Sequence, residues 1–284
     1  MDPVGVSTPA DLVVNTYERT YRRVLGPGFF KGIEDQCRFP FAGRVALINN
    51  VDDEPDARRR AAELVASGEL TGFEVVRERL PEALAQTGLR ESELGAARHY
   101  VDSLLVAVTL PGAAWLVHWD ADISLAEPAD WISPSIDLMD RDARVLCANP
   151  DNFHHPAGLA GTERTDGFAL TPGFSDQLFL ARRADLDHAI YKERCVAALR
   201  CPIAHIGWSF EMRVDSYMRH HGLLRASELH SRYIHPPEMA GASYPAADRM
   251  ARVRRVRNMA VLAYLRNAPR RLRPHCARDL GGGV

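Results

Sequence analysis

Residues 115–122 of the chain, WLVHWDAD, place two aspartates directly after an apolar run. The run at Ala114–Val117 predicts a buried β-strand, and Asp120 and Asp122 follow where that strand ends. Two carboxylates one residue apart at a strand end can share a divalent cation, because hard oxygen ligands suit Mg²⁺ or Mn²⁺. The alternative interpretation is a solvated pair of aspartates that caps the next helix near Pro128.

Three further apolar runs predict strands of the same sheet. Asp11–Thr16 (DLVVNT) and Arg44–Asn49 (RVALIN) are continuous in apolarity, as strands buried on both faces are, and Phe73–Val76 is a shorter candidate. Apolar residues at helical spacing lie between these runs, within Asp56–Ala66 and Tyr100–Leu110. Strands that alternate with helices indicate an α/β fold with a mostly parallel sheet.

Polar clusters follow three of these predicted strands. They are Asn15–Arg19, Asn49–Asp53 and Asp120–Asp122. In open parallel sheets, ligands bind in the crevice outside the carboxyl ends of the strands. We therefore expect the three clusters to lie along one edge of the sheet.

The pattern is weaker after residue 150. Asp151–Phe174 is polar and contains His, Gly and Pro, which predicts a long binding loop. Asp176–Ala181 (DQLFLA) predicts another strand. Ser209–His221 predicts a helix that ends at Gly222.

The C-terminal part is strongly basic. Arg249–Arg278 contains ten arginines and no lysine, and apolar residues within Met250–Leu265 recur at helical spacing. This pattern predicts a basic amphipathic helix. Such a helix either lies weakly on an anionic membrane surface or docks on its own domain with a solvated arginine face. Self-association as a homodimer is also left open.

The composition is that of an ordinary globular protein. The chain has 284 residues, 46% of them apolar, and a formal net charge of −2, which argues against a nucleic-acid partner. Five cysteines without a CxxC pair argue against a disulfide scaffold or a zinc knuckle and favour a reducing compartment. The N-terminus lacks a signal-peptide pattern, and the longest apolar stretch, Leu104–Val117, is too short to span a bilayer. We therefore expect a cytoplasmic protein, at most peripheral at the membrane.

The order of the motifs over residues 11–235 resembles that of the family-2-like glycosyltransferases, which have the GT-A fold. The resemblance rests on five segments: VVNTYER (13–19), NNVDD (49–53), GAARH (95–99), WLVHWDADISL (115–125) and SFEMRVDSYMRHHG (209–222). They are similar, in this order, to the family's first strand and turn, its acidic turn, the segment before its DxD strand, the DxD strand itself and the helix that supplies a base. This chain has Asn49-Asn50 where the family's acidic turn begins with Asp.

The resemblance implies a GT-A-type, Rossmann-like α/β fold, with a mostly parallel sheet flanked by helices and a C-terminal helical extension. It implies a glycosyltransferase domain at residues 1–245, with a donor half at about 10–125 and an acceptor half at about 126–245. The basic amphipathic helix and tail would occupy residues 246–284.

The resemblance also implies metal-dependent transfer of a sugar from a nucleoside-diphosphate sugar of the uridine type to an acceptor hydroxyl, with inversion. Glu211 would be the general base, and Asp120, Asp122 and His235 would hold Mn²⁺ or Mg²⁺. The other implied site residues are Asn15, Tyr17, Asn50, Asp52, Arg98 and again Asp120 for the sugar nucleotide, and Asp176, Gln177 and Trp208 for the acceptor. The acceptor itself is not identified.

Three other functions remain open on the sequence alone. DADIS at residues 120–124 fits the motif of haloacid-dehalogenase-like phosphatases, in which Asp120 would be the nucleophile and Asp122 its partner. A nucleotidyltransferase would need a Gly-rich phosphate loop near the N-terminus, and Gly26-Pro27-Gly28 is too short for one. A non-catalytic protein that binds a nucleotide sugar or a membrane would keep the donor site without using a base.

Overall fold

A computed structural model describes residues 8–152, 162–235 and 249–278. Within these ranges the chain forms one sheet with helices on both of its faces. The strands are β1 (Ala10–Thr16), β2 (Gly43–Ile48), β3 (Gly72–Val75), β4 (Trp115–Asp120), β5 (Ser124–Leu125), β6 (Val145–Asn152), β7 (Glu163–Thr165), β8 (Phe168–Thr171), β9 (Leu178–Arg182) and β10 (Leu224–Ile234). The α-helices are α1 (Tyr21–Val24), α2 (Phe29–Cys37), α3 (Glu54–Ala66), α4 (Val76–Thr87), α5 (Asp102–Thr109), α6 (Ile132–Arg141), α7 (Arg183–Leu186), α8 (Phe210–His221) and α9 (Arg249–Asn267).

The order of the strands in the sheet is β3-β2-β1-β4-β9-β6-β10-β8-β7, and β5 pairs with β10. β1 pairs in parallel with β2 and β4, and β2 pairs in parallel with β3. β9 lies antiparallel between β4 and β6, and β6 pairs in parallel with β10. Six strands, β1, β2, β3, β4, β6 and β10, therefore run in one direction, and their carboxyl ends share one edge.

The strands that continuous apolar runs predicted are confirmed within two residues at each end, except that β4 continues three residues further and includes Asp120. In β1, Leu12 and Val14 pack into the core on one face of the sheet, while Val13 packs into the core on the other. All three side chains are 0% exposed. A strand covered on both faces has no reason to alternate apolar and polar residues, which is why these runs are continuous.

The predicted loop at Asp151–Phe174 is wrong for much of its length. β6 continues to Asn152, and β7 and β8 form a hairpin that extends the sheet next to β10. The hairpin turns at Asp166 and Gly167, whose φ angles of 45° and 85° suit a tight two-residue turn. Residues 153–161 lie outside the described ranges.

The predicted C-terminal helix is present as α9, and it docks on the domain. Its buried residues Ala251, Asn258, Leu262 and Leu265 are separated by seven, four and three positions, so they form one helical face. That face packs against the short turn Val196–Arg200. None of the described helices combines the length and the apolarity that crossing a membrane requires.

Candidate functional site

A cavity of about 1360 Å³ opens at the edge where the parallel strands end. Asn15 lies near the end of β1, and Tyr17 comes directly after that strand. Asn50 comes after β2. Asp120 is the last residue of β4, and Asp122 lies two positions further on. The convergence of the three polar clusters is thereby confirmed. A cavity of this size exceeds the several hundred Å³ of a typical single-ligand pocket, so it has room for two substrates.

The acidic pair lies beside a histidine from β10's carboxyl end. His235 Nε2 is 3.4 Å from Asp122 Oδ2, and both residues line the cavity. Asp120 is held differently, because buried His118 places its Nε2 3.2 Å from Asp120 Oδ1. A carboxylate and an imidazole suit Mn²⁺, and carboxylates suit Mg²⁺. The ligand atoms of Asp120, Asp122 and His235 do not all lie within 4.8 Å of one another, so Asp120 would have to move closer to share an ion with the other two.

The charges of this cluster are perturbed in opposite directions. Enclosure raises the pKa of Asp120, although the hydrogen bond to His118 opposes the shift. Burial also tends to raise the pKa of Asp122. The hydrogen bond and the charge of His235 outweigh that effect and hold the pKa of Asp122 below its usual value. The same hydrogen bond raises the pKa of His235. Without a cation, His235 therefore partly neutralises the pair.

The lining of the cavity has polar atoms that lack protein partners. The buried side-chain oxygens of Asn15 and Asn149 and the Nδ1 of His118 have no hydrogen-bond partner among the described residues, and all three residues line the cavity. Buried polar groups are rarely left unpaired in native proteins. These atoms thus indicate where a polar ligand binds.

The turn after β2 presents Asn50 rather than an acid. Asn50 adopts the left-handed region with φ of 50°, which Asn tolerates better than most residues, and its Nδ2 lies 2.9 Å from His99 Nδ1. Asp52, predicted to bind the nucleotide, is exposed and is not among the cavity's lining residues. Asp53 instead caps α3, since its Oδ1 accepts the Asp56 N–H at 3.1 Å.

Arg98 lies beside the main cavity rather than in it. It pairs with Glu91 and lines a smaller neighbouring cavity of about 400 Å³, together with Asn50 and His99. Trp208 lies outside the lining of both cavities, and its ring packs under the Arg194 guanidinium at 4.4 Å. The structure therefore does not bring these two predicted residues together with the acidic pair.

Glu211 enters the cavity from the first turn of α8. Ser209 caps this helix, with its Oγ accepting the Met212 N–H at 3.3 Å, and Gly222 ends it in the left-handed conformation at φ of 66°. Both signals were readable in the sequence. The Cys201 thiol donates to Glu211 Oε2 at 3.0 Å, so the carboxylate has a fixed orientation.

Two of the acids in this part of the cavity have raised pKa values. Enclosure raises the pKa of Glu211, against the opposing effect of the Cys201 thiol. Burial, followed by the charges of Glu211 and Asp120, raises the pKa of Asp176 well above its usual range. Asp176 thus lies within electrostatic reach of both the acidic pair and Glu211. Gln177, its neighbour, accepts a hydrogen bond from Tyr233 at 3.2 Å and also lines the cavity.

Several lining residues were not predicted from the sequence. Asn149, Asp151 and Asn152 are polar residues at the end of β6, whose sequence is VLCANPDN. An apolar run that leads into polar residues is the same sequence signal that identified the turn after β2. The others come from distant parts of the chain and had no such signal. They include Arg200, Cys201, Arg225, Tyr233 and, from α9, Arg266.

The caps of α8 and α3 give a paired prediction. Ser209→Ala and Asp53→Ala should each lower the free energy of unfolding by about 1 kcal/mol, because each removes a helix N-cap. Only Ser209→Ala should also lower turnover, since α8 carries Glu211. Urea unfolding and activity assays check both variants. A loss of nucleotide affinity in Asp53→Ala would instead support the nucleotide-binding role implied for this acidic turn.

No protein-family model matches the sequence, and no curated protein matches it. The fold is similar to that of the crystal structure of GalNAc-T7 with UDP, GalNAc and Mn²⁺, with a TM-score of 0.50 and 12% sequence identity. The match covers 95% of this chain and 52% of the other, so the chain spans about half the length of that protein. The GT-A-type α/β fold predicted from the sequence is thereby confirmed.

Proposed function

We propose that the protein is a metal-dependent glycosyltransferase that moves a sugar from a nucleoside-diphosphate sugar to an acceptor hydroxyl. One observation carries the proposal: Asp120, Asp122, His235 and Glu211 line a single cavity at the carboxyl edge of a GT-A-type sheet. The similar GalNAc-T7 structure contains UDP and Mn²⁺, which supports a uridine-type donor and a divalent cation. The order of the sequence motifs supports a relationship to the family-2-like enzymes.

In this proposal the donor occupies the side of the cavity formed by β1, β2 and β4. Tyr17 stacks on the nucleobase, and the unpaired side-chain oxygen of Asn15 accepts a hydrogen bond from it. Asp120, Asp122 and His235 would hold Mn²⁺ or Mg²⁺. The cation would stabilise the negative charge that develops on the leaving diphosphate. His118 positions Asp120 for this task.

Glu211 acts as the general base in the proposed reaction. It takes the proton from the acceptor hydroxyl while the acceptor oxygen bonds to the anomeric carbon and the bond from that carbon to the diphosphate breaks. Inversion is proposed from the resemblance to the family-2-like enzymes, and it requires Glu211 to act on the side of the anomeric carbon away from the diphosphate. Asp176 and Gln177 would hold the acceptor.

A panel of sugar nucleotides tests the donor assignment. We expect uridine diphosphate sugars to raise the apparent melting temperature in Mn²⁺ and not in EDTA. Ligand at a hundred times its Kd stabilises the folded state by about 2.7 kcal/mol, which for a chain of this size is a shift of several degrees. Absence of any metal-dependent shift across the panel would contradict the proposal. Release of phosphate from generic phosphoesters would favour the phosphatase alternative.

The outer face of α9 supports a peripheral membrane contact as part of the proposed function. All 37 aspartates and glutamates of the chain lie outside residues 249–278, which hold ten arginines. Arginines on this face alternate with exposed apolar side chains, an arrangement that fits the headgroup region of anionic lipid. The apolar residues, 54–68% exposed, are Met250, Val253, Val256, Met259 and Tyr264.

Binding to lipid vesicles tests the proposed membrane contact of α9. Arg252 and Arg255 are exposed on α9, and each arginine near an anionic surface contributes about 1 kcal/mol, so the double change to Gln should weaken binding roughly 30-fold. Sedimentation with phosphatidylserine-containing vesicles measures it. Val253→Glu places a negative charge on the same face and should weaken binding as well. Val65→Glu, at an exposed valine of α3, should leave binding unchanged. Equal binding of all variants would exclude this face, and a dimer in light scattering would assign it to a second copy.

A further inference from the structure

Cys195, His220 and Cys276 meet at a point that is separate from the cavity. Their sulfur and nitrogen atoms all lie within 4.8 Å of one another, and none of the three residues lines the cavity. Cys195 precedes the turn Val196–Arg200, His220 lies in the last turn of α8, and Cys276 lies in the C-terminal turn His275–Ala277. The two cysteines are 81 positions apart, so the absence of a CxxC pair says nothing about this cluster.

The donor atoms match the preferences of one metal. Two thiolates and an imidazole suit Zn²⁺, and around a tetrahedral zinc such atoms lie roughly 3.5–3.8 Å apart. Atoms that lie up to 4.8 Å apart would have to approach by up to about 1 Å to bind one ion, which side-chain rotation can supply. Cys195 and Cys276 are 1% and 9% exposed, while 42% of the His220 side chain is exposed. The sulfurs would approach the metal from the protein side and the histidine from the solvent side, which leaves the fourth position to water.

The surroundings already hold these side chains in place. The backbone N–H of Cys195 donates to Ser216 Oγ at 3.0 Å, and the Ala197 N–H donates to Cys195 Sγ at 3.4 Å. Glu193 Oε2 lies 3.9 Å from His220 Nδ1, and His220 Nε2 lies 3.2 Å from the carbonyl oxygen of Arg194. Zinc would replace the Arg194 contact at Nε2, and Glu193 would move closer to bond Nδ1. A carboxylate beside the second ring nitrogen is the usual partner of a zinc-bound histidine, because it fixes the tautomer and the ring orientation.

We propose that Cys195, His220 and Cys276 form a three-ligand Zn²⁺ site, with water as the fourth ligand, that fastens the C-terminal segment to α8. The two thiols would each release a proton as the metal binds. The apolar contact in this region is small, with Cys195, Ala197, Leu265, Cys276 and Ala277 as its buried members, so a metal would add substantially to it. The site is independent of the reaction proposed above.

The test uses the full chain with Asp122→Ala, so that the cavity is disabled as a competing metal site. We expect the reduced protein to retain one zinc per chain after dialysis, measured by mass spectrometry of the metal. Titration with Co²⁺ should give the visible bands of a tetrahedral, thiolate-bound ion. Both signals should be lost in Cys276→Ser and in His220→Asn, with affinity for zinc at least about 100-fold weaker.

Two neighbours serve as matched controls. Cys37→Ser changes another buried free cysteine, and His221→Asn changes the adjacent histidine, which pairs with Glu193 at 2.8 Å. Both should retain the zinc and the cobalt spectrum. Circular dichroism establishes that each variant is folded. The proposal is overturned if the reduced parent binds zinc no more tightly than Cys276→Ser, or if Cys195 and Cys276 are found joined as a disulfide in the freshly purified protein.

Discussion

Replacing Asp122 by alanine should abolish sugar transfer, with a loss of at least about 10³-fold in kcat/KM, or about 4 kcal/mol. Asp122 is the carboxylate that pairs with His235, and the hydrogen bond from His235 helps to hold its pKa below the usual value. Its removal leaves Asp120 and His235 as ligands, and the pKa of Asp120 is raised. Metal-dependent affinity for UDP should fall together with activity, because the same cation serves both.

Calorimetry with UDP in the presence and absence of Mn²⁺ measures this effect directly. Asp137→Ala is the matched control, because Asp137 is an exposed aspartate of α6 outside the cavity. The control should bind UDP as the parent does. Undiminished Mn²⁺-dependent affinity in Asp122→Ala would show that the metal site has been assigned to the wrong residues.

The second large effect is expected at Glu211. Changing Glu211 to Gln keeps the shape and the hydrogen bond with Cys201 but removes the proton acceptor, so kcat should fall by roughly 10²–10⁴-fold. The Kd for the donor should stay unchanged, since Glu211 is assigned to the acceptor side. Unchanged turnover with retained donor binding would remove Glu211 from the chemistry. Absence of transfer in the parent, with donor binding intact, would favour the non-catalytic nucleotide-sugar-binding alternative.

The pH dependence of kcat gives an independent measure of the same residue. Because enclosure raises the pKa of Glu211, the carboxylate needed as base becomes protonated at a higher pH than an ordinary glutamate would. The rate of the parent should therefore fall as the pH is lowered through that raised value. The Cys201 thiol favours the carboxylate, so Cys201→Ala should move this acidic limb to higher pH. Asp176→Asn should mainly raise the KM for the acceptor; loss of the limb in that variant would make Asp176 the base instead.

The strands that begin the fold and helix α8 were predictable because their signals are local. β1 and β4 are continuous apolar runs that end in polar residues, and α8 has a serine cap and a terminal glycine. β10 gave no such signal, because its eleven residues include buried polar groups. Glu228 is one of them, and it is satisfied within its own strand by the N–H groups of His230 and Ser231 at 2.9 and 2.7 Å. Buried polar residues within a strand interrupt both continuous apolar runs and apolar–polar alternation, so neither pattern indicates this strand.

The acceptor half of the site was less predictable for a topological reason. Asp176 and Gln177 were proposed at the start of a predicted strand, and they lie just before β9, whose direction follows from its partners and not from its sequence. Arg225 and Arg266 join the lining from β10 and α9 only after the chain has folded. Asp52 and Trp208 show the opposite case, because both were proposed from the sequence as site residues and both lie outside the lining of the cavity.

Arg266 has a practical implication for anyone who shortens this protein. Since Arg266 of α9 is part of the cavity lining, cutting the chain after His235 would leave every described strand of the sheet in place and still remove a positive charge from the cleft. Such a fragment could fold and yet discriminate poorly among acceptors. Boundaries drawn by counting strands would thus divide a single functional unit.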